Sequence, residues 1–250
     1  MDTASSSPRR ISLIIPARNE EHYLPRLLDT VEVARNGYRH GPDAIEVIVA
    51  DNVSTDNTVA IARARGCCIA TVEKRVIAAV RNGGATAASA PILAFVDADA
   101  RIHPETFNAI DDAMSSGRYV AGASGVTLER MSPGIAVTYA VLVGFVWLTG
   151  MDTGVTFYRR EAFDEIGGYR ETMLFAEDIR IFFDHRRWGR RRGLRLTRTR
   201  QAKAIFSMRK FDERGDWHYV THMITLPFRW LLLRRSAERL VREYWYDVRE

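Results

Sequence analysis

The stretch FVDADAR, residues 95–101, sets two carboxylates, Asp97 and Asp99, one residue apart at the end of the apolar run PILAFV. Carboxylates are costly to bury, so an apolar run finished by two of them points to an open edge rather than to core. In an extended chain residues i and i+2 face the same way; Asp97 and Asp99 can present together while Ala98 points elsewhere and leaves room. Two oxygen donors so placed suit a hard divalent cation such as Mg²⁺ or Mn²⁺. Mg²⁺ is usually held by one or two carboxylates plus substrate phosphates, so the pair points to a phosphorylated ligand. Taken alone, the pattern has a second reading: two acids that cap a helix start look alike, and Pro104 opens a helical stretch soon after.

The elements that must position these acids follow from the periodicity. ISLII (11–15) reads as a buried strand ended by Pro16, AIEVIVA (44–50) as a second strand ending at Asp51, CIATV (68–72) as a third and PILAFV as a fourth. Between them, Tyr23, Leu24, Leu27, Leu28 and Val31 fall at helical spacing and Asn36-Gly37 closes the helix. VAIARARG predicts a short helix ending at Gly66; a helix rich in small residues spans 75–89, interrupted at Gly83-Gly84; PETFNAIDDAM (104–114) predicts another. Strand alternating with helix marks an α/β fold, an open and mostly parallel sheet covered on both faces. In such sheets ligands bind beyond the C-terminal ends of the strands. PARNEE (16–21), Asp51 with its turn NVSTDNT, and the DAD acids all fall on that edge.

After residue 117 the pattern changes. RYVAGASGVTLER predicts a strand or hairpin, and GVTFYRREAFDEIGGYRE a short strand and then a helix stopped by Gly167-Gly168. MLFAEDIRIFFDHRRW predicts a helix with Phe175, Ile179, Phe182 and Phe183 on one side. Residues 225–248 have an amphipathic helical pattern. Residues 134–150 are nearly uncharged but shorter than the ~20 residues that span a bilayer, which favours a buried or membrane-surface helix.

Composition narrows the class. At 27% charged and 46% hydrophobic residues the chain is of the soluble globular kind, with enough apolar material for one large domain. The formal charge of +5 is local in origin: RRWGRRRGLRLTRTR (186–200) holds eight Arg. That run either attracts an anionic partner or is a solvated basic surface. Only Trp188 interrupts it with an aromatic ring, and single-stranded RNA binding wants more, so no nucleic-acid partner is expected. Cys67 and Cys68 are adjacent and have no metal-type spacing, as suits a reducing, cytoplasmic compartment.

Taken in order, SLIIPARNEE (12–21), VIVADNVSTDNT (47–58), RNGGATAASAPILAFVDADA (81–100), GVTFYRREAFDEIGGY (154–169) and FAEDIRI (175–181) resemble the family-2 glycosyltransferases with a GT-A fold. The resemblance covers about 12–185. It implies a nucleotide diphospho-sugar donor held at the strand ends, a divalent cation (Mn²⁺ or Mg²⁺), and a hydroxyl acceptor. Polar, Ser-rich residues 1–10 read as a disordered lead; the resemblance implies a nucleotide-sugar-binding half (11–117) and an acceptor-binding half with C-terminal helices (118–250) in the same domain. By the same resemblance Pro16, Ala17, Arg18 and Glu20 line the nucleoside, with Glu20 on the ribose, and Asp51 meets the base edge. Ser54 and Asp56 either join that site or only shape and cap the turn. Arg81 matches a basic residue near the diphosphate, Asp97 faces ribose or metal, and Asp99 ligates the metal. Asp178 matches the proposed general base and Glu177 a residue for acceptor hydroxyls, although two acids in a helix's first turn also suit its dipole.

A downstream His often completes the site in such enzymes. His218 in DWHYVTHM is the candidate third metal ligand, with His222 four residues on, whereas His185 reads as structural or exposed. The QxxRW motif of processive synthases is absent; FRW at 228–230 lacks the Gln. Transfer of a single sugar is therefore expected, UDP-linked first and GDP-mannose second. The 134–150 segment, the 225–248 helix and the Arg run together suggest a lipid-linked acceptor or peripheral contact with the inner membrane face. Two rival readings are a sugar nucleotidyltransferase, whose usual Gly-rich loop PARNEE lacks, and a non-catalytic basic membrane- or nucleic-acid-binding domain.

Overall fold

All seven residues of β1 (Ile11–Ala17) and of β2 (Ile45–Asp51) are buried, as central parallel strands covered on both faces must be. The computed structural model describes residues 8–173, 176–218 and 220–221. Most of the N-terminal lead, Phe175, His222 and the 225–248 pattern lie outside the described residues. After α1 (Leu24–Asn36), β2 and α2 (Thr58–Ala64) come β3 (Cys68–Thr71), α3 (Ile77–Ala87), β4 (Ile92–Phe95), α4 (Thr106–Ser115), β5 (Tyr119–Ala123) and β6 (Val126–Leu128). Next are α5 (Pro133–Thr149), β7 (Thr156–Arg159), α6 (Arg160–Ile166), α7 (Glu177–Arg190), β8 (Arg195–Arg198), β9 (Ala204–Phe206) and α8 (Arg209–Arg214).

Seven strands form one sheet in the order β3-β2-β1-β4-β7-β5-β8, and β6 pairs with β9 in a second, two-stranded sheet. β3, β2, β1 and β4 run parallel, and β7 runs antiparallel to both its neighbours. The register sets Ala17 beside Asp51, so β1 and β2 end level, while Phe95, the last residue of β4, lies beside Ile14, three residues earlier along β1. Alternate residues of β1 feed two cores. Ile11, Leu13 and Ile15 pack with the α1 and α4 face; Ile14 packs with α3, α6 and α7 on the other.

Several expectations are corrected. Gly83-Gly84 does not interrupt α3. A Cβ on Gly84 would stand 2.4 Å from Ile14 and one on Gly83 2.4 Å from Val72, so the glycines let an unbroken helix lie directly on the sheet. The 118–130 stretch is not a hairpin: the chain turns at Gly125, at φ 74°, and β6 leaves the large sheet to pair with β9. In α7 the buried side carries Ile181, Phe182, His185 and Trp188, while Phe183 is exposed. The Arg run stays largely exposed, with Arg187, Arg190, Arg191, Arg195 and Arg200 facing solvent, in keeping with the solvated basic surface that is one of its two readings. It forms the end of α7 and the edge strand β8, and Arg192 stacks on Trp188 at 3.8 Å and pairs with Glu165. The 134–150 helix forms as expected, capped by the Ser132 side chain and ended by Gly150. It buries Ile135 and Val146 but exposes Val137, Val141, Val143 and Trp147.

His185 is structural and fully buried. Its Nδ1 lies 2.9 Å from the Ile181 carbonyl oxygen, its ring packs on Tyr158, and Nε2 has no partner among the described residues. Burial pushes its pKa down from 6.5 to about 4. Below pH 6.5 the unfolded chain takes up a proton that the folded protein refuses, so this group's contribution is lost as pH falls from 6.5 towards 4. We expect the parent protein to lose about 2 kcal/mol relative to His185→Leu between pH 7.5 and 5. Denaturant melts of both at the two pH values measure it; parallel losses would remove His185 as the cause.

Candidate functional site

The sheet's C-terminal edge is built by turns that leave β1, β2 and β4. Leaving β1, Asn19 takes a positive φ of 51° and its Oδ1 accepts from the Thr55 amide; Ser54 Oγ in turn accepts from the Asn19 amide. Asp51 accepts from the Ser54 amide at 3.2 Å, and Asp56 accepts from the amides of Glu21 and Thr58. Burial works to raise the Asp56 carboxyl, but the Thr58 and Glu21 hydrogen bonds hold it below the usual range. Asp51, Ser54 and Asp56 thus shape the turn that the sequence singles out. Asn52 ties that turn to β3 by donating to the Val72 carbonyl at 2.6 Å.

Among the described residues the non-glycine positive φ values are at Asn19, Val53 and Ala176. Val53, β-branched, is a true outlier. Two of the three follow β1 and β2, and Ala176 precedes α7. Backbone strain of this kind clusters at functional sites.

β4 ends at Phe95, and the DAD acids lie in the turn beyond it. The expected extended pair is therefore a turn, and each acid meets a different arginine. Arg81, on α3, donates through Nη2 to Asp97 at 3.1 Å and through Nη1 to Glu177 at 2.8 Å, with its guanidinium over the Tyr169 ring. Burial opposes the Arg81 charge, but Asp97, Tyr169 and Glu177 outweigh it and hold the group above its ordinary pKa. Burial likewise raises the Glu177 carboxyl, and Arg81 pulls it back only in part.

Arg209 makes the same pattern on the other side: Nη1 to Glu20 at 2.9 Å, Nη2 to Asp99 at 3.2 Å, guanidinium over the Tyr23 ring. It reaches the site because Arg101 and Ile205 exchange backbone hydrogen bonds, tying the DAD turn to β9 just before α8. Sequence reasoning missed Arg209. It stands 189 residues from Glu20, and SMRKF carries no recognisable spacing. Tyr23 and Tyr169 were missed as ring platforms; only a nearby arginine in space identifies that use.

Glu177 and Asp178 open the first turn of α7. Glu177 is buried in its pair with Arg81. Asp178 is exposed: Oδ1 accepts from the Ile179 amide, and Oδ2 has no partner among the described residues. Pro16 and Ala17 end β1, and Arg18 Nε beside them is buried with no partner among the described residues. His218 is drawn elsewhere: Nδ1 lies 2.7 Å from the Gly215 carbonyl oxygen and the ring meets Phe211 edge-on. Among the described residues no three His, Cys, Asp or Glu stand close enough to hold a metal ion. Asp97 and Asp99 still fit a hard cation by donor type, and would leave most of its shell to phosphate oxygens and water.

The edge therefore gathers acids and two cations from separate elements. The chain is similar to validoxylamine A glucosyltransferase of Streptomyces hygroscopicus subsp. limoneus, 34% identical over 118 residues, 42% of this chain and 24% of that protein. The chain thus spans about a quarter of that relative. The fold matches a mannosyltransferase of Pyrobaculum calidifontis in complex with GDP-Man and Mn²⁺ (TM-score 0.61, 19% identity, 81% of this chain and 58% of that one). It also matches glucosyl-3-phosphoglycerate synthase of Mycobacterium tuberculosis in complex with Mn²⁺, UDP and glucosyl-3-phosphoglycerate (TM-score 0.58, 19% identity, 83% and 75%). At such identities these two likenesses speak for the fold, the GT-A arrangement. The model of glycosyl transferase family 2 matches residues 12–195, a span holding Glu20, Asp51, Arg81, both DAD acids and Asp178, and the chain belongs to that family.

Proposed function

We propose that this protein moves a single sugar from a nucleotide diphospho-sugar to a hydroxyl acceptor, with inversion and with the help of a divalent cation. The observation that carries the reading is the convergence on one sheet edge of Glu20, Arg81, the DAD acids Asp97 and Asp99, and the α7 acids, from four separate parts of the chain. A UDP-sugar is the favoured donor, with GDP-mannose second.

The roles follow from exposure and charge. The β1 turn, with Arg18 and Glu20, lines the nucleoside, and Asp51 closes the base end. Asp97 and Asp99 would hold the cation, whose chemistry when bound is to neutralise the departing diphosphate. Arg81 offers the diphosphate a fixed guanidinium. Asp178 accepts the proton of the acceptor hydroxyl as that oxygen attacks the anomeric carbon; one carboxylate suffices for a single in-line displacement. Glu177, held by Arg81, fixes the start of α7 and the wall on the acceptor side. His218 remains a candidate ligand only through a shift of the α8 segment.

The uncharged α5, with Val137, Val141, Val143 and Trp147 exposed, favours an apolar or lipid-linked acceptor reached at a membrane surface. Among the described residues no helix is long and apolar enough to cross a membrane.

Calorimetric titration with UDP, GDP and their sugar conjugates, each with and without Mn²⁺, tests the donor. One nucleotide should bind in a Mn²⁺-dependent way, and Asp99→Ala, still folded, should lose that dependence. A folded parent that binds none of them would sink the reading; an Asp99→Ala that unfolds would make Asp99 a structural group.

A further inference from the structure

We propose that Arg209 is the resident counter-ion of the donor site, and that with Arg81 it makes cation and diphosphate bind as a pair by exchange of partners. This rests on the donor reading above and adds a residue and a binding order to it.

The two arginines are wired alike. In each, Nη1 is bound to a buried carboxylate, Glu177 for Arg81 and Glu20 for Arg209, at 2.8 and 2.9 Å. In each, Nη2 is bound to a more accessible acid of the DAD turn, Asp97 at 3.1 Å and Asp99 at 3.2 Å. The side chains of Glu177 and Glu20 are 11% and 2% exposed, against 59% and 21% for Asp97 and Asp99. Each guanidinium also lies over a tyrosine ring, 5.3 Å from Tyr169 for Arg81 and 4.7 Å from Tyr23 for Arg209. One side of each fork is thus anchored in the protein, and the other faces the edge.

The charges dictate what can enter. A lone divalent cation approaching Asp97 and Asp99 finds both carboxylates already facing a guanidinium, and like charges a few ångströms apart repel. A lone diphosphate finds the arginines already engaged and the four carboxylates they pair with, Glu20, Glu177, Asp97 and Asp99, around it. When both arrive, the carboxylates turn to the cation and the Nη2 sides turn to phosphate oxygens, a bidentate partner the guanidinium fork suits well. Every charge then has an opposite neighbour. The Nη1 anchors and the rings keep both arginines in position through the exchange, so it needs a side-chain pivot rather than a loop movement.

The test measures Mn²⁺ alone, by the electron paramagnetic resonance of the free ion, and then Mn²⁺ with UDP or GDP, corrected for the complex the two form in solution. In the parent protein nucleotide should tighten Mn²⁺ binding at least about 10-fold, and Mn²⁺ should tighten nucleotide binding by the same factor. In Arg209→Gln, Mn²⁺ alone should bind about 10-fold tighter than to the parent, and the coupling should shrink. If that variant does not fold because the buried Glu20 loses this counter-charge, Glu20→Gln/Arg209→Gln removes both charges, and the same gain in Mn²⁺ affinity is expected. Nucleotide binding without coupling in the parent, or Mn²⁺ affinity unchanged in the folded variant, overturns the exchange and leaves the donor reading standing. A folded parent that binds neither UDP nor GDP at any Mn²⁺ concentration overturns both.

Discussion

Asp178→Asn should bind the nucleotide sugar as the parent protein does and transfer it about 10² to 10⁴ times more slowly, the usual worth of a positioned general base. The assignment separates two adjacent acids by their surroundings. Glu177 is buried and shares its charge with Arg81 at 2.8 Å, so it is poorly placed to take a proton from an incoming hydroxyl. Asp178 is on the outside of the same helical turn, with one oxygen on the Ile179 amide. The amide replacement keeps the shape and the acceptor oxygen and removes the basicity, so donor affinity is the control that the site is intact. Single-turnover transfer against equilibrium donor binding reads the two apart. A folded Asp178→Asn within 10-fold of the parent rate would take Asp178 out of the chemistry, and Glu177→Gln would be measured next.

Much of this edge was legible before any coordinates, and the reason is physical. β1, β2 and β4 are buried on both faces, so their sequences are almost unbroken apolar runs, and an acid directly after such a run has few places to be except the strand's exposed end. Asp51, Asp97 and Asp99 were found that way. What stayed hidden has no local signature. β6 and β9 are three residues each, and β9 matters chiefly because its Ile205 bridges to Arg101. β8 is an edge strand written in Arg195, Leu196, Thr197 and Arg198, and so it read as part of a basic run. Gly83-Gly84 read as a helix break because glycine disfavours helices, yet both are there for close approach to Val72 and Ile14. Arg209 is the plainest case: only the folded chain shows that a lysine- and arginine-bearing segment near residue 209 closes on Glu20 and Asp99.

Arg81→Met should destabilise the protein by about 3–5 kcal/mol, because it leaves Glu177 buried without its partner. The Glu177 side chain is only 11% exposed and cannot recover by hydration what it loses. Asp97, 59% exposed, gives up its arginine at little cost. On the proposed reading, stability and donor binding thus hang on different nitrogens of one guanidinium: Nη1 holds α7 to α3, and Nη2 faces the DAD turn. The double variant Arg81→Met/Glu177→Gln removes the stranded charge together with its partner, and replacing a buried ion pair by well-packed neutral groups is often neutral. It should therefore regain most of the lost stability. If Arg81 serves the diphosphate as proposed, the double variant should not regain donor binding. Denaturant unfolding of the parent, both single variants and the double closes the cycle for stability, and calorimetric titration with the nucleotide closes it for binding. A double variant that binds nucleotide as the parent does would leave Arg81 a purely structural residue. One that stays as unstable as Arg81→Met would mean that the lost stability came from packing over Tyr169 rather than from the stranded carboxylate.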